Sequence, residues 1–461
     1  MNNTTSLQED DKYLVEQGYQ PQLLRKLSGF ASFAITFSWM SVLMGVFSNY
    51  AFALNTAGAF SIWTWPIVAA GQMLVALVFA EIAGRIPLTG SLYNWNTKLG
   101  NPTIGWQAGW LTLFAYAVAG AAILVAIMTP LQSFLGISLS LGQIQIIGLG
   151  MVLVHLLINI YGVQLAAHIN RFAVIAEIAA LAIFSVALAV AVVIKGGIHT
   201  ALLTTIPSTP APYLPAFIIS GLLAAWTIFG YEAPSDVSEE TVGVRRIAPK
   251  SIIWAVGASA VLGFIFILIL TVAIPDFATI SATTDPISAI FTFYLGVVAT
   301  KIFLFFVLLA IFALGILVIT NVPRLVFAMA RDNRLVGSSF FAKISPSKVP
   351  RNAAIFVAVI EAIVFVFAYG QVALYATSVI LLSLVYLITI VNYALKQETL
   401  PAPDTFSLGK WRGLVITTAL IWIVLEIGVF TIPQDFHLAA LISFGVIAAG
   451  FVLQLLFARN T

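Results

Sequence analysis

Residues 226–240 read WTIFGYEAPSDVSEE, at the end of an apolar run that starts near Pro215. Within it, Trp226, Gly230 and Glu232 stand at W-x-x-x-G-x-E spacing, with Pro234 two residues further on. Proline removes a backbone donor and collides with the preceding turn, so this helix must break near Gly230. In lipid each freed amide or carbonyl costs several kcal/mol unless protein or water satisfies it, so the break belongs beside a cavity. The first half-helix then aims its carbonyl end there and the second its amide end. A carboxylate at such a joint is a functional candidate by default, and an aromatic face beside a carboxylate is chemistry that holds an organic ammonium. Trp226, Phe229, Gly230, Tyr231 and Glu232 are the candidates for contact with a substrate amine. The competing reading is a plain proline kink with Glu232 reaching water at an interface.

Three further groups carry chemistry. The stretch FASFAITFSWMSVLMGVFSNY has Ser38, Ser41 and Ser48 as interruptions and Gly45 near its middle. Short polar residues take over backbone hydrogen bonds where a helix unwinds, although they also serve as packing faces between membrane helices. Glu177 lies seven residues after Asn170 in HINRFAVIAEIAALAIFSVALAV. An acid there fits a proton carrier, one oxygen of a cation site, or an ion pair with Arg171. Glu81 and Arg85, four apart, can pair on one helical face as a cytoplasmic latch. His155 and Asn159 share that spacing, where a packed hydrogen bond is the simpler reading because no third metal ligand is near. Glu361 and Glu426 read as packing residues. Tyr116, Thr320 and Asn321 are placed at the border of a cavity.

These residues need a scaffold, and the composition defines it. The 461 residues are 61% hydrophobic and 8% charged, with no cysteine, against about 25% charged in an ordinary soluble domain. Apolar runs near 20 residues recur from Gly29 to Phe457, each able to cross a hydrocarbon core of about 30 Å as a helix. They are too continuous for barrel strands. The expected architecture is an all-α polytopic membrane protein with twelve spans: 29–54, 62–83, 104–134, 143–161, 168–194, 215–238, 249–274, 299–329, 353–369, 373–395, 412–432 and 437–457. The segments 274–298 and 330–351 are expected as loops. The first 27 residues are polar and lack the apolar core of a signal peptide.

With twelve spans, all of the 21 Lys and Arg except Lys195 and Lys301 fall on one side, Arg459 included. The positive-inside rule makes that side cytoplasmic, with both termini there and the chain in the cytoplasmic membrane. The net charge of +3 needs no nucleic acid to explain it. The chain divides into a cytoplasmic segment 1–27, spans 1–5 (28–196), spans 6–10 (197–397) and spans 11–12 (398–461). Five crossings per copy make two copies inverted, so spans 1 and 6 correspond. Two interrupted helices at matching positions point to a transporter site near the bilayer midplane.

Other classes fit less well. The four histidines, at 155, 168, 199 and 437, are scattered; there is no nucleophile motif, metal spacing or cofactor signature, which argues against an enzyme. A channel would show a filter or charged rings. A sensor on a transporter scaffold would usually add a long signalling tail.

Several motifs carry a family resemblance. EIAGRIPLTGSLYNW (81–95) resembles the second-span signature of permeases in the amino acid–polyamine–organocation superfamily. SEETVGVRRIAPKSIIWAV (238–256), RLVFAMARDNRL (324–335) and KVPRNA (348–353) resemble their segments after span 6, at the end of span 8 and at the start of span 9. Nearly the whole chain is covered, and the nearest look is to the amino acid/choline transporters, which include 4-aminobutyrate and choline permeases. W-x-x-x-G-x-E is also similar to the sixth span of arginine/agmatine and putrescine exchangers. The resemblance implies the inverted five-plus-five fold of the sodium-coupled leucine transporter plus two extra helices. It implies a substrate carboxylate cradled by backbone around Ser41, Met44 and Gly45, with Trp226, Gly230 and Glu232 facing the amine. Many relatives carry G-x-G-I-F at the first break; here the stretch is SVLMGVF, which suits a cargo whose amine is the main handle. Proton-coupled bacterial relatives place a lysine at the position of Glu177, its ammonium standing in for sodium. An acid there reverses the charge logic and fits proton coupling, with uncoupled exchange and sodium coupling as alternatives. The expected function is a secondary active transporter, permease or exchanger, for a small amine-bearing solute: an amino acid, 4-aminobutyrate, choline or a polyamine.

Overall fold

The computed structural model describes residues 3–161, 163–207, 212–367, 370–400, 403 and 406–458; Arg459 of the charge argument lies outside them. The described chain is helical throughout, with one isolated parallel β-bridge between Leu27 and Thr241. An N-terminal helix α1 (Asn3–Glu16) precedes α2 (Gly29–Trp39) and α3 (Val42–Ala57), the two halves of the first span. Then follow α4 (Thr64–Arg85), α5 (Ser91–Leu99), α6 (Pro102–Ala126), α7 (Met128–Leu135), α8 (Leu141–Ile160) and α9 (Val163–Lys195). The predicted sixth span is α10 (Tyr213–Ser220), α11 (Leu222–Thr227) and α12 (Ala233–Asp236). The chain continues through α13 (Val244–Val272), α14 (Phe277–Ser281), α15 (Pro286–Arg331), α16 (Ser338–Phe341), α17 (Arg351–Val366), α18 (Gln371–Lys396), α19 (Arg412–Thr431) and α20 (His437–Ala458).

Ten helices among the described residues are long and apolar enough to cross a membrane. The two predicted spans missing from that set are the sixth, whose apolar helix Tyr213–Thr227 stops at the break, and the ninth, only 16 residues long as α17. Burial sorts the bundle. The first span and the one starting at Pro102 are 83% and 89% buried, against 17% for α8 and the Gln434–Leu455 span. The central helices are therefore walls of a protein interior. The outer ones show solvent-side Leu141, Ile146, Leu441 and Phe444, the apolar face that a hydrocarbon surround requires.

One expected loop is folded. Asp276 caps α14 by accepting from the Thr279 amide at 2.7 Å. Asp285 caps α15 by accepting from the Ser288 amide at 2.9 Å, with Pro286 in the first turn. An acid at the cap and proline just inside are both helix-starting devices, so α15 opens thirteen residues before the predicted 299 with a short helix over 286–295; the long helix resumes beyond Gly296, whose φ 83° and ψ 167° are not helical, close to the predicted start.

Candidate functional site

The first span is broken without glycine or proline. Helix α2 ends at Trp39, and Ser41 takes a non-helical conformation (φ −37°, ψ 106°) before α3 starts. Ser41 caps α3: its Oγ accepts from the Met44 amide at 3.3 Å, and its own amide donates to the Ser38 carbonyl at 3.1 Å. Ser38 thus supports the break through its backbone. Gly45, expected at the interruption, lies one turn later inside α3. A Cβ there would stand 2.1 Å from Thr227 Oγ1, so this glycine lets the two broken helices touch.

The sixth span breaks where Gly230 and Pro234 predict. Helix α11 stops at Thr227, and Gly230 adopts φ +74°, a conformation open to glycine at little cost. The Gly230 amide donates to Tyr386 Oη at 3.0 Å, and that hydroxyl donates to Glu232 Oε2 at 2.5 Å. Tyr116 Oη donates to Glu232 Oε1. Glu232 is fully buried, so it does not bathe in interfacial water as a plain kink would have it. Two tyrosines from α6 and α18 clamp it.

Between the breaks lies a cleft of about 10 Å³, lined by Trp39, Ser41, Met44, Ala119, Ile123, Trp226, Thr227, Phe229 and Leu314. It is nearly shut, with room for roughly one water. Of the predicted substrate contacts, Ser41, Met44, Trp226 and Phe229 line it. Glu232 stands behind Tyr116, whose ring lies against Trp39 at 4.6 Å. Trp226 stacks on Tyr375 at 4.2 Å and on Phe229 at 4.9 Å. Neither indole nitrogen, of Trp39 or of Trp226, has an acceptor. Tyr231 turns away: its hydroxyl donates to Gln72 Oε1 at 3.1 Å, and Gln72 donates to Glu426 at 2.5 Å. Ser383 also donates to Glu426, at 2.8 Å, so that acid completes a polar network between α4, α18 and α19.

Glu177 does not pair with Arg171, which lies over the Phe30 ring at 5.4 Å. It reaches the first break instead. Its Oε1 accepts from Ser41 Oγ at 2.8 Å and from the Leu43 amide at 3.1 Å. The acid sits, fully buried, on the amide end of α3, where the helix dipole favours negative charge.

The Glu81–Arg85 pair is corrected. Glu81 accepts from Arg412 and Arg85 donates to Tyr393 Oη at 2.9 Å and to the Gln397 and Leu400 carbonyls at 2.7 and 2.9 Å. The connection from α18 to α19 crosses the end of α4 and offers each residue a partner that helical spacing alone does not reveal. The same face holds the buried pair Arg324–Glu240 and the part-buried pair Arg331–Glu239, both at 2.9 Å. Helix α1 docks there: Asp10 accepts from the Gly243 amide at 2.7 Å and Tyr13 Oη donates to the Arg85 carbonyl at 3.1 Å. Burial pushes the Asp10 carboxyl up, against the Gly243 amide and Arg25 that pull it down. Burial and then the Asp332 carboxylate push the Tyr19 hydroxyl up to about 12.

The packed hydrogen bond expected between His155 and Asn159 is present and runs through the backbone: the Asn159 side chain donates to the His155 carbonyl at 3.0 Å. Asn159 also donates to the Ile316 carbonyl at 3.1 Å and accepts from Thr320 at 2.6 Å, whereas both His155 ring nitrogens lack partners. Thr320 and Asn321 do not line the cleft; Asn321 donates to the Ala233 carbonyl at 3.2 Å. Glu361 is buried without a partner beside Gly120. The residues that sequence reasoning missed are Tyr386, Trp39 and Thr227. Trp39, one residue before the break, carried a signal, because it mirrors Trp226 at the other break.

A multi-pass helical membrane protein with two interrupted helices facing a buried polar centre is the class that this fold and site define. The amino acid permease family model matches residues 27–456, and the chain belongs to that family. It is similar to the amino-acid permease BAT1 of Arabidopsis thaliana, 26% identical over 93% of this chain and 89% of the relative. It is similar also to amino-acid permease 2 of Neurospora crassa, 26% identical over 94% of this chain and 83% of that one. A rice homologue of BAT1 is 26% identical over 92% and 88%. Members of the family are transporters and not enzymes.

Proposed function

We propose that the protein is a secondary active transporter of amino acids in the cytoplasmic membrane, working by alternating access around the cleft between Ser41 and Trp226. The observation that carries this is the meeting of two broken helices at one aromatic-lined cleft, with a buried acid bonded at each break. The names of the relatives supply the cargo class; 4-aminobutyrate, choline and polyamines are further candidates for the same amine handle. In this reading α10–α12 and α17 complete twelve crossings. Spans 1–5 and 6–10 form an inverted repeat with the breaks at matching positions, and both termini face the cytoplasm.

Glu232, released from one tyrosine as the cleft opens, takes the cargo ammonium between its carboxylate and the Trp226 and Phe229 faces. Glu177 takes the proton. The second reading is exchange without ion coupling, favoured by the fact that both partners of Glu177 belong to the break itself, as in a fixed cap. A thermal-shift screen of purified protein against amino acids and amines tests the cargo. A ligand at 100 times its Kd stabilises by about 2.7 kcal/mol, and Glu232→Gln lowers the affinity of the best one at least tenfold, as loss of a charge-assisted bond of about 1.5–3 kcal/mol requires. Unchanged affinity in Glu232→Gln removes the amine role. A flat pH response of counterflow in sodium-free liposomes selects the exchange reading.

A further inference from the structure

Ser41 touches two compartments at once: it lines the cleft, and it donates to Glu177 at 2.8 Å. A hydroxyl has one donor and two acceptor sites. With Glu177 ionised, the Ser41 proton goes to the carboxylate and one lone pair takes the Met44 amide. What remains for the cleft is a lone pair, which repels any acceptor. With Glu177 protonated, the acid donates to Ser41 Oγ, the Met44 amide keeps the other lone pair, and the serine proton turns into the cleft. The wall changes from acceptor to donor with no backbone movement. Nothing covalent changes except one proton taken by Glu177 from water; the Ser41 O–H bond is never broken.

A second observation says what the donor would meet. Trp39 and Trp226 line the same cleft, are 2% exposed, and have indole N–H groups without acceptors. A buried donor left unpaired is costly; neither indole has a partner in this state, and an amino acid brings an acceptor in its carboxylate. We propose that Ser41 converts proton binding at Glu177 into a hydrogen-bond donor for the carboxylate of the cargo, so that proton and carboxylate bind cooperatively. The inference rests on the transport reading above and adds to it the linkage and its transmitter. Ser41 is a positioning residue for the proton and a contact residue for the cargo.

The surroundings leave Glu177 to this one task. Helix α9 packs on α2, α8, α13 and α15. Their ionisable groups, with those of α9 itself and α3, are His155, His168, Arg171, Lys195, Arg245, Arg246, Lys250, Tyr294, Lys301, Arg324, Arg331 and Tyr50. None of them bonds or pairs with Glu177, whose partners are the hydroxyl and amides of the first break.

Three matched pairs of probes that differ only by the carboxylate test the linkage: alanine and ethylamine, 4-aminobutyrate and propylamine, ornithine and putrescine. In wild type the carboxylated member that binds gains up to tenfold in affinity per unit fall in pH across the titration of Glu177, as one linked proton requires; its amine partner does not gain. Glu177→Gln, whose amide N–H imitates the protonated acid, binds the amino acid tightly with a flat pH profile. Ser41→Ala loses the pH slope, and Ser41→Thr, which keeps the hydroxyl, restores it. An equal slope in Glu177→Gln, or an equal gain by the amine, overturns the inference. A ligand-free arm separates its failure from failure of the transport reading. The acid-minus-neutral infrared spectrum should show a carboxyl band that Glu177→Gln abolishes, with its midpoint moved to higher pH in Ser41→Ala. A midpoint that stays put overturns the relay whether or not a probe binds. A midpoint that moves while none of the six probes binds supports the relay and sinks the cargo assignment.

Discussion

Tyr386 donates to Glu232 and accepts from the Gly230 amide, whereas Tyr116 makes only the bond to Glu232. The two phenols are therefore unequal. Tyr386→Phe strips a buried amide of its acceptor and a buried carboxylate of a donor; Tyr116→Phe does only the second. Unsatisfied buried groups cost about 1–3 kcal/mol each, so Tyr386→Phe should unfold at lower denaturant than Tyr116→Phe, by about 1 kcal/mol or more. Equal losses would mean that the Gly230 amide finds water and that the break is open. At this scale the acid was legible and its partners were not. Trp226, Gly230, Glu232 and Pro234 lie within nine residues and state a break by themselves. The tyrosines stand 116 and 154 residues from Glu232, and no local pattern says that they converge on it. Glu177 was legible as a misplaced acid, yet its partner Ser41 is 136 residues away, so its bond to the first break waited on the fold.

Between elements, the contact that matters is the crossing of α3 and α11. Gly45→Ala would put a methyl 2.1 Å from Thr227 Oγ1, 2.6 Å from Cγ2 and 2.7 Å from Cβ, so rotating the threonine gives no relief. Overpacking of this kind costs about 1–3 kcal/mol. Gly45→Ala should lower stability by that amount and reduce cargo affinity as the helices part, and pairing it with Thr227→Ala should recover part of the loss. A fully stable Gly45→Ala would show that the two helices are not locked together at this point. In the sequence Gly45 stands near the middle of an interrupted stretch; the break itself is four residues earlier because Ser41 can cap α3 with its own hydroxyl. The loop expected over 274–298 fails for a related cause. The cap roles of Asp276 and Asp285 depend on the residue three positions on turning its amide back. The Leu27–Thr241 bridge, with the Leu27 amide on the Glu240 carbonyl at 2.8 Å, ties the entry of the first span to the exit of the sixth. The two broken helices are thereby joined at that end.

For the molecule as a whole, the question is which side opens. On the side assigned to the cytoplasm, Arg324–Glu240, Arg331–Glu239 and Arg412–Glu81 close the bundle, and Ser91 donates to Asp236 at 2.5 Å beneath them. Removing one partner of a buried pair leaves an uncompensated charge, at a cost of about 3–5 kcal/mol. That cost falls on whichever state buries the pair, so Glu240→Gln should shift the population toward a state open on this side. The chain has no cysteine, so a single Ser91→Cys gives a clean reporter. Ser91→Cys alone should resist a membrane-impermeant maleimide, because the residue is buried. With Glu240→Gln it should label in inside-out vesicles and stay unlabelled in right-side-out ones. Adding Arg324→Gln removes the stranded charge; stability should return while labelling stays high, since the latch is still missing. Labelling in right-side-out vesicles would reverse the orientation that the Lys and Arg distribution implies. No labelling in either preparation, in a folded Glu240→Gln protein, would mean that these pairs stabilise the bundle without gating it.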